Sequence, residues 1–397
     1  MIRLETYAEV AEALRARELR QALYDAGAAL MGPVIVNLHG DAHRNRRRLE
    51  NRLFRRDVFA AWERELIAPT VEAVLQPALA DGEVDLLTLA RTTMMNVSRR
   101  VAGIDLPNDE PATLVEFAAL MNRMAVASVV VHSTLPAAEI IADGNNALAE
   151  FESRFFAPSR QRRLALIEAF DRGDLAESDL ANDVLTVLLR NQDRLALPYN
   201  DVLREAAYYP WVAAHSTSIE FVFAMDEIFT WLADHAEDWA RTTDPMWLLA
   251  CVHESLRLHP ASPESRRRAV EPVTLASGRR FAVGDELTLA MTAANRDWSV
   301  FGADADHFVP GRPLPERVAP WGLSFGSGTH ACLGAALAGG LPASDDMPGE
   351  QHLFGAIVTI AARLFSHGAR PHPGRPPVRD AHTTRPNFSS YWVTLND

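Results

Sequence analysis

Lysine is absent from this 397-residue sequence, and all 39 of its basic residues are arginine. That bias is compositional and points to no function. Cysteine is almost absent: Cys251 and Cys332 are the two present, too few for a disulfide framework and in keeping with a reducing cytoplasm. Positive charge is in deficit. The formal net charge of -13 argues against a nucleic-acid-binding surface and for a soluble acidic protein. The opening run Met1-Ile2-Arg3-Leu4-Glu5-Thr6-Tyr7 has no apolar signal-peptide core. No stretch reaches the uninterrupted apolar length of a membrane span. No Gly-rich dinucleotide fingerprint follows a strand-like run. Internal repeats and low-complexity segments are lacking too. What is present is hydrophobic content, 48% of residues, enough for a sizeable core in one large domain or two to three ordinary ones.

The most informative stretch is Phe325-Gly326-Ser327-Gly328-Thr329-His330-Ala331-Cys332-Leu333-Gly334. Its glycines let the backbone turn where a side chain would clash. The helix-like run Ala335-Ala336-Leu337-Ala338 follows directly. A cysteine in such a loop, at a helix N-terminus, sits where backbone N–H groups and the helix dipole favour a thiolate. Thiolates bind metals, haem iron among them. A lone cysteine near glycines is more often a free thiol in a turn. The full pattern Phe-Gly-x-Gly-x-His-x-Cys-x-Gly, however, resembles the haem-binding loop of the cytochrome P450 family.

Other segments carry the same resemblance, in order along the chain. In Asp41-Ala42-His43-Arg44-Asn45-Arg46-Arg47-Arg48, Asp41 is a good N-cap, and His43 and Arg47 lie four apart on one helix face. Alone, the run reads as a solvated basic face; the pair could also grip a carboxylate. The similar family segment contacts a haem propionate. The run Ala213-Ala214-His215-Ser216-Thr217-Ser218 sits inside an apolar helix, where hydroxyls either bond back to carbonyls one turn earlier or have another task. The family carries Ala-Gly-x-Asp/Glu-Thr-Thr/Ser there. Ala214 replaces the usual glycine and Ser216 the acid, while Thr217 is retained. In the family, acid and threonine together deliver protons to oxygen, and Ser216 has no carboxyl proton to give. Weakened proton delivery is therefore expected, with His215 and Glu264 the next candidates. Glu254-Ser255-Leu256-Arg257 followed by Leu258-His259-Pro260 resembles the second family signature, a Glu–Arg pair that locks the fold behind the haem loop. Arg312, in Phe308-Val309-Pro310-Gly311-Arg312, is its candidate third member. Arg267, flanked by Arg266 and Arg268, falls where the family places another propionate-binding arginine. Ser262, Pro263 and Glu264 would then line the pocket.

Periodicity gives the elements. Helices are expected over 7–23, over 58–100 with a break at Ala80-Asp81-Gly82, and over 114–131, 137–156, 160–171 and 178–190. The helices of 114–156 pack Met and Phe into the core, and by resemblance this region supplies a lid over the substrate. A long buried helix should run over about 200–233 with Pro210 inside it, and another over 247–259. The apolar loop 27–40 must cover something, such as a pocket. Strand pieces lie around the Gly278 turn and at the C-terminal 391–395. The segment 339–349 interrupts a helix the family leaves unbroken and reads as an insertion, with the helix resuming over 351–365. Relative to the family the N-terminus looks short, so either the start is misassigned or the first strands of the β region are expected to be depleted.

The resemblance implies a mainly α fold with a small β region, the cytochrome P450 fold, as one haem domain over residues 1–397. It implies haem b with Cys332 as iron ligand. His43, Arg47, Arg267 and His330 would hold propionates, and Ala213, Phe325, Gly326 and Gly334 would line the haem. Thr217, with Ser216, would manage protons. The implied activity is a cytoplasmic monooxygenase that takes electrons from a separate ferredoxin or flavoprotein and oxidises a small hydrophobic substrate. No nucleic acid and no membrane enter this reading. The alternatives are the same fold with peroxide-driven, dehydration or isomerisation chemistry, and a haem-binding protein without turnover.

Overall fold

The computed structural model describes residues 2–108, 110–343 and 352–396. Its axis is a 36-residue helix, Tyr199–Asp234, whose apolar residues face inward on almost every side; a helix apolar all round must be buried. It packs along Leu86–Ala102 and crosses Pro245–Leu258 and Gly355–Ser366. Pro210 does not end it. The Pro210 carbonyl accepts a hydrogen bond from Ser98 Oγ at 3.0 Å, so a partner helix meets a backbone group there.

The β structure is small. A four-stranded sheet runs Ile2–Leu4, Glu286–Leu289, Ser265–Ala269, Leu19–Gln21; the first pair is parallel and the others antiparallel. A separate small core lies beneath it, formed by Leu4, Val10, Leu14, Leu19, Leu287 and Leu289 among others. A three-stranded sheet places Trp392–Thr394 between Glu83–Asp85 and Arg370–Pro371. Two short hairpins pair Val273–Thr274 with Arg280–Phe281, and Val378–Arg379 with Phe388–Ser390.

Several expectations are corrected. The first helix is Tyr7–Arg15, not 7–23. Leu19, Arg20 and Gln21 instead form a strand with Leu19 and Gln21 inward, a period of two that a helical reading of 7–23 overlooks. The strands expected to be depleted are present, since Ile2–Leu4 and Leu19–Gln21 build half of the main sheet. Asp41 lies in the first turn of helix Gly40–Glu50 rather than at its cap, which is His39. The helix expected over 178–190 covers only Val184–Arg190; the Asp183 carboxylate caps it by accepting from Thr186 N at 2.7 Å. The helices of 137–156 and 160–171 join through one π turn, Glu152–Phe156.

The interrupted helix after Cys332 is observed. Ala335–Gly339 stops at Gly340, which has φ +75°, and the next helix is Gly355–Ser366. The expected restart at Gln351 lies outside the described residues. Leu341 N donates to Leu353 O at 2.9 Å, closing the two ends against each other. A Cβ on Gly340 would lie 2.5 Å from Phe354 O, and one on Gly355 2.4 Å from Gly340 N. The Glu63 carboxylate accepts from Phe354 N and Gly355 N, at 3.2 and 2.7 Å, and so caps the second helix from outside. Among the described residues no helix is long and apolar enough to cross a membrane.

Candidate functional site: a cysteine-containing cavity under the central helix

A cavity of about 280 Å³ lies between the Cys332 loop, the Gly40–Glu50 helix, the central helix and the strand Ser265–Ala269. Every residue expected to hold haem or manage protons borders it: His43, Arg47, Ala213, Ser216, Thr217, Arg267, Phe325, Gly326, His330, Cys332 and Gly334. Ile35 and Val36 of the apolar N-terminal loop also line it. The Met- and Phe-rich helices of 114–156 do not. Phe117, Met121, Met124, Phe151 and Phe155 are core side chains, and none of that region reaches the cavity wall.

The loop is held from behind. Cys332 N donates to Phe325 O at 2.8 Å. Gly328, at φ +72°, is forced by close approach as well as conformation, because a Cβ there would sit 2.9 Å from Arg15 Cα. Ser324 Oγ donates to Leu256 O at 2.6 Å, and Leu323 N donates to Asn295 Oδ1 at 2.7 Å. Asn295 Nδ2 reaches Arg257 O at 2.9 Å, which links the loop to the Glu254 network. There Arg257 donates to both Glu254 oxygens at 2.8 and 2.7 Å, and Arg312 Nε donates to Glu254 Oε1 at 2.9 Å. The expected trio is thus one buried cluster.

Cys332 has exposed surface, but that surface faces the cavity and the thiol is otherwise enclosed. Burial pushes the thiol up to about 11, more than the Gly334 N–H and the Arg47 charge offset. The helix that follows is only five residues long, too short a dipole to yield the thiolate expected from position alone. A bound cation would supply what the loop does not, since a coordinating thiol is deprotonated outright.

The cations around the cavity lack anions. Strand alternation settles which of Arg266, Arg267 and Arg268 faces inward: Arg267 is 3% exposed, whereas Arg268 pairs with Glu286 and Asp25 at the surface. Arg267 Nη1 donates to Gln21 Oε1, Ser265 Oγ and Arg266 O, all neutral acceptors. Desolvation lowers its guanidinium to about 10. Arg47 donates to Asn51 Oδ1 and to Ala331 O, again neutral, and burial lowers it. The His43 and His330 rings are 4.1 Å apart, and His43 Nε2 is buried without a partner. Burial and neighbouring Arg47 hold His43 down at about 4, and burial with His43 and the arginines holds His330 at about 3. Buried cations are expected to be paired. These surround a cavity that also offers a thiol, and they fit a flat dianionic iron porphyrin: Cys332 for the metal, the arginines and His43 for its carboxylates.

On the opposite wall, Ser216 Oγ donates back to Val212 O at 2.7 Å and Ser218 Oγ to His215 O at 3.1 Å. These two are ordinary helix back-bonds. Thr217, 3% exposed, makes no such bond and lines the cavity. His215 does not line the cavity and is held at about 3 by burial beside Arg91 and Arg385. Of the predicted pocket trio, Ser262 borders the cavity while Pro263 and Glu264 do not. Glu264 turns outward because Arg3 takes its carboxylate as an ion pair. Sequence reasoning missed Glu220, a cavity-lining acid three residues after Thr217. Its spacing from Ser216 and Thr217 was the available signal.

A thiol and a threonine border one arginine-rimmed cavity, an arrangement that fits a haem-thiolate site. The Cytochrome P450 family profile matches residues 224–339. Cytochrome P450 119 of Sulfolobus acidocaldarius is 37% identical over 101 residues, covering 25% of either chain. The monooxygenase cicH of Emericella nidulans is 36% identical over 102 residues, 24% of this chain and 20% of that one. The matched segment thus spans about a fifth to a quarter of these curated relatives. The crystal structure of CalO2 shares the fold, with a TM-score of 0.74 at 21% identity, over 99% of this chain and 90% of that one. Residues 224–339 thus resemble the cytochrome P450 family, and the chain shares the fold of the CalO2 structure. The residues that border the cavity fit haem held by a cysteine thiolate.

Proposed function

We propose that the chain works as a single haem domain and a monooxygenase, placing one oxygen atom from O2 into a hydrophobic organic substrate. A separate ferredoxin or flavoprotein would supply the electrons. The observation that carries this reading is Cys332 facing Thr217 across one cavity rimmed by Arg47, Arg267 and His43. When bound, thiolate-ligated haem supplies the oxygen activation, because the thiolate favours O–O cleavage. The chain's own part is positioning. Arg47, Arg267, His43 and His330 orient the carboxylates, and Ala213 leaves space on the opposite wall. Thr217 Oγ1 offers an uncommitted hydroxyl that can hold a water or pass a proton at the reacting oxygen. Apolar side chains such as Ile35, Val36, Met94 and Val101 exclude bulk water and favour an apolar substrate.

The test is the spectrum of the reduced carbon monoxide complex. Thiolate ligation shifts the Soret band strongly to the red. Cys332→Ala should abolish that band and Cys251→Ala, a buried thiol away from the cavity, should leave it. A histidine-type band in the fresh parent protein would refute the reading.

A further inference from the structure

The central helix lacks the acid expected before Thr217, yet the cavity does not lack an acid. Glu220 lines it, one helical turn beyond Ser216 and Thr217, and spacings of three and four residues place all three on one face. Its side chain is 4% exposed overall. Among the described residues its one hydrogen bond is from the Ala261 amide to Oε1, long at 3.4 Å. Among the described residues no arginine or histidine pairs with it. The Ala261 amide and the Cys332 thiol interact with it, and Ser216 and Thr217 of its own helix border the same cavity. A buried carboxyl without a cation keeps its proton. Burial raises Glu220 to about 8, so it is a neutral acid at physiological pH, poised near the operating range of a general acid. Ser216 cannot serve in that way, because its hydroxyl is spent on Val212 O.

We propose that Glu220 is the proton donor for oxygen reduction in this cavity, passing its proton through Thr217 Oγ1 or an intervening water. The inference rests on the monooxygenase reading and supplies the group that reading lacked. In balance, O2 takes two electrons from the redox partner and two protons. One oxygen leaves as water and the other enters a substrate C–H bond. Each proton leaves a Glu220 oxygen, and the carboxylate so formed is reprotonated from bulk solvent, with water in the cavity as the relay. His215 and Glu264 are excluded as donors by their positions.

The test compares the haem-loaded parent with Glu220→Gln and with the double variant Ser216→Asp/Glu220→Gln. Glutamine keeps the shape of the neutral acid. At neutral pH, the infrared difference between parent and Glu220→Gln should contain the C=O stretch of a protonated carboxylic acid; its absence would mean an ionised side chain and overturn the proposal. With NADPH, ferredoxin and ferredoxin reductase, oxygen consumption should fall on the order of 10²-fold in Glu220→Gln, and Ser216→Asp should restore at least a tenth of it. Unchanged consumption in Glu220→Gln overturns the proposal while the cysteine-type carbon monoxide band of the parent keeps the monooxygenase reading standing. A parent without that band defeats both. The parent alone gives a further check that needs no variant. Its consumption should fall with rising pH in step with loss of the infrared band, and consumption that stays level while the band disappears would also overturn the proposal.

Discussion

Two sets of buried polar groups flank the Cys332 loop, and they differ in how completely they are partnered. Behind the loop, Arg257 places its five N–H groups on both Glu254 oxygens and on the carbonyls of Asn295, Ala305 and His307. Arg312 is matched as fully, on Glu254, Asp304 and the carbonyls of Phe301, Asp304 and His307. In front of the loop, Arg267 uses only Nη1, on neutral acceptors. His43 Nε2 is orphaned, and Glu220 has one long contact. A saturated cluster belongs to the fold, since nothing more can be added to it. An unsaturated one is a cost the fold carries for a ligand or a reaction.

The largest effect should come from breaking the saturated side. Glu254→Ala strands two guanidiniums in the interior and should cost about 3–5 kcal/mol, a large share of a domain's stability. Insoluble or haem-free protein is expected in expression trials, and a soluble, haem-loaded product that merely turns over slowly would contradict it.

Glu220 should show the opposite sign. Its folded value, raised to about 8 from 4.5, means that between those pH values the unfolded chain has released a proton the folded one retains. Stability linked to this group is therefore lost as pH rises from 4.5 to 8 and is flat beyond. Glu220→Gln, which does not titrate, should gain on the parent across that window, by an amount on the order of a few kcal/mol. Urea denaturation at several pH values measures it; parallel curves for the two proteins would show an unshifted carboxyl.

The smallest effect separates stability from ligand holding. Arg267→Gln removes a buried cation that has no anion, so the haem-free protein should keep its stability or gain roughly 1 kcal/mol, while haem is released more readily. Thermal melts of the haem-free form and haem transfer to a scavenger globin report the two sides. A destabilised haem-free protein would place Arg267 with the Glu254 cluster instead.

Much of this contrast could be read from the sequence because contiguous motifs carry it. The Cys332 loop, Glu254 with Arg257, and the His43 and Arg47 pair are local spacings, and local spacing survives folding. What could not be read is orientation. Arg266, Arg267 and Arg268 are indistinguishable until strand pairing decides which faces in. Glu264 was placed in the pocket because nothing local reveals that Arg3, far away in sequence, takes its carboxylate. Leu19-Arg20-Gln21 was read as helix because three residues of alternation are too few to outvote a helical run before it. Glu220 was visible as a residue but not as a cavity residue, since the face of an all-apolar helix that opens inward is set by its neighbours.

The pinch at Gly340 and Gly355 bears on how this chain can vary. Two backbones touch where any Cβ would collide, with the Leu341–Leu353 hydrogen bond as the clasp. A side chain at either position would force the two backbones apart, so Gly340 and Gly355 together fix how near the end of the helix after Cys332 lies to the start of the next.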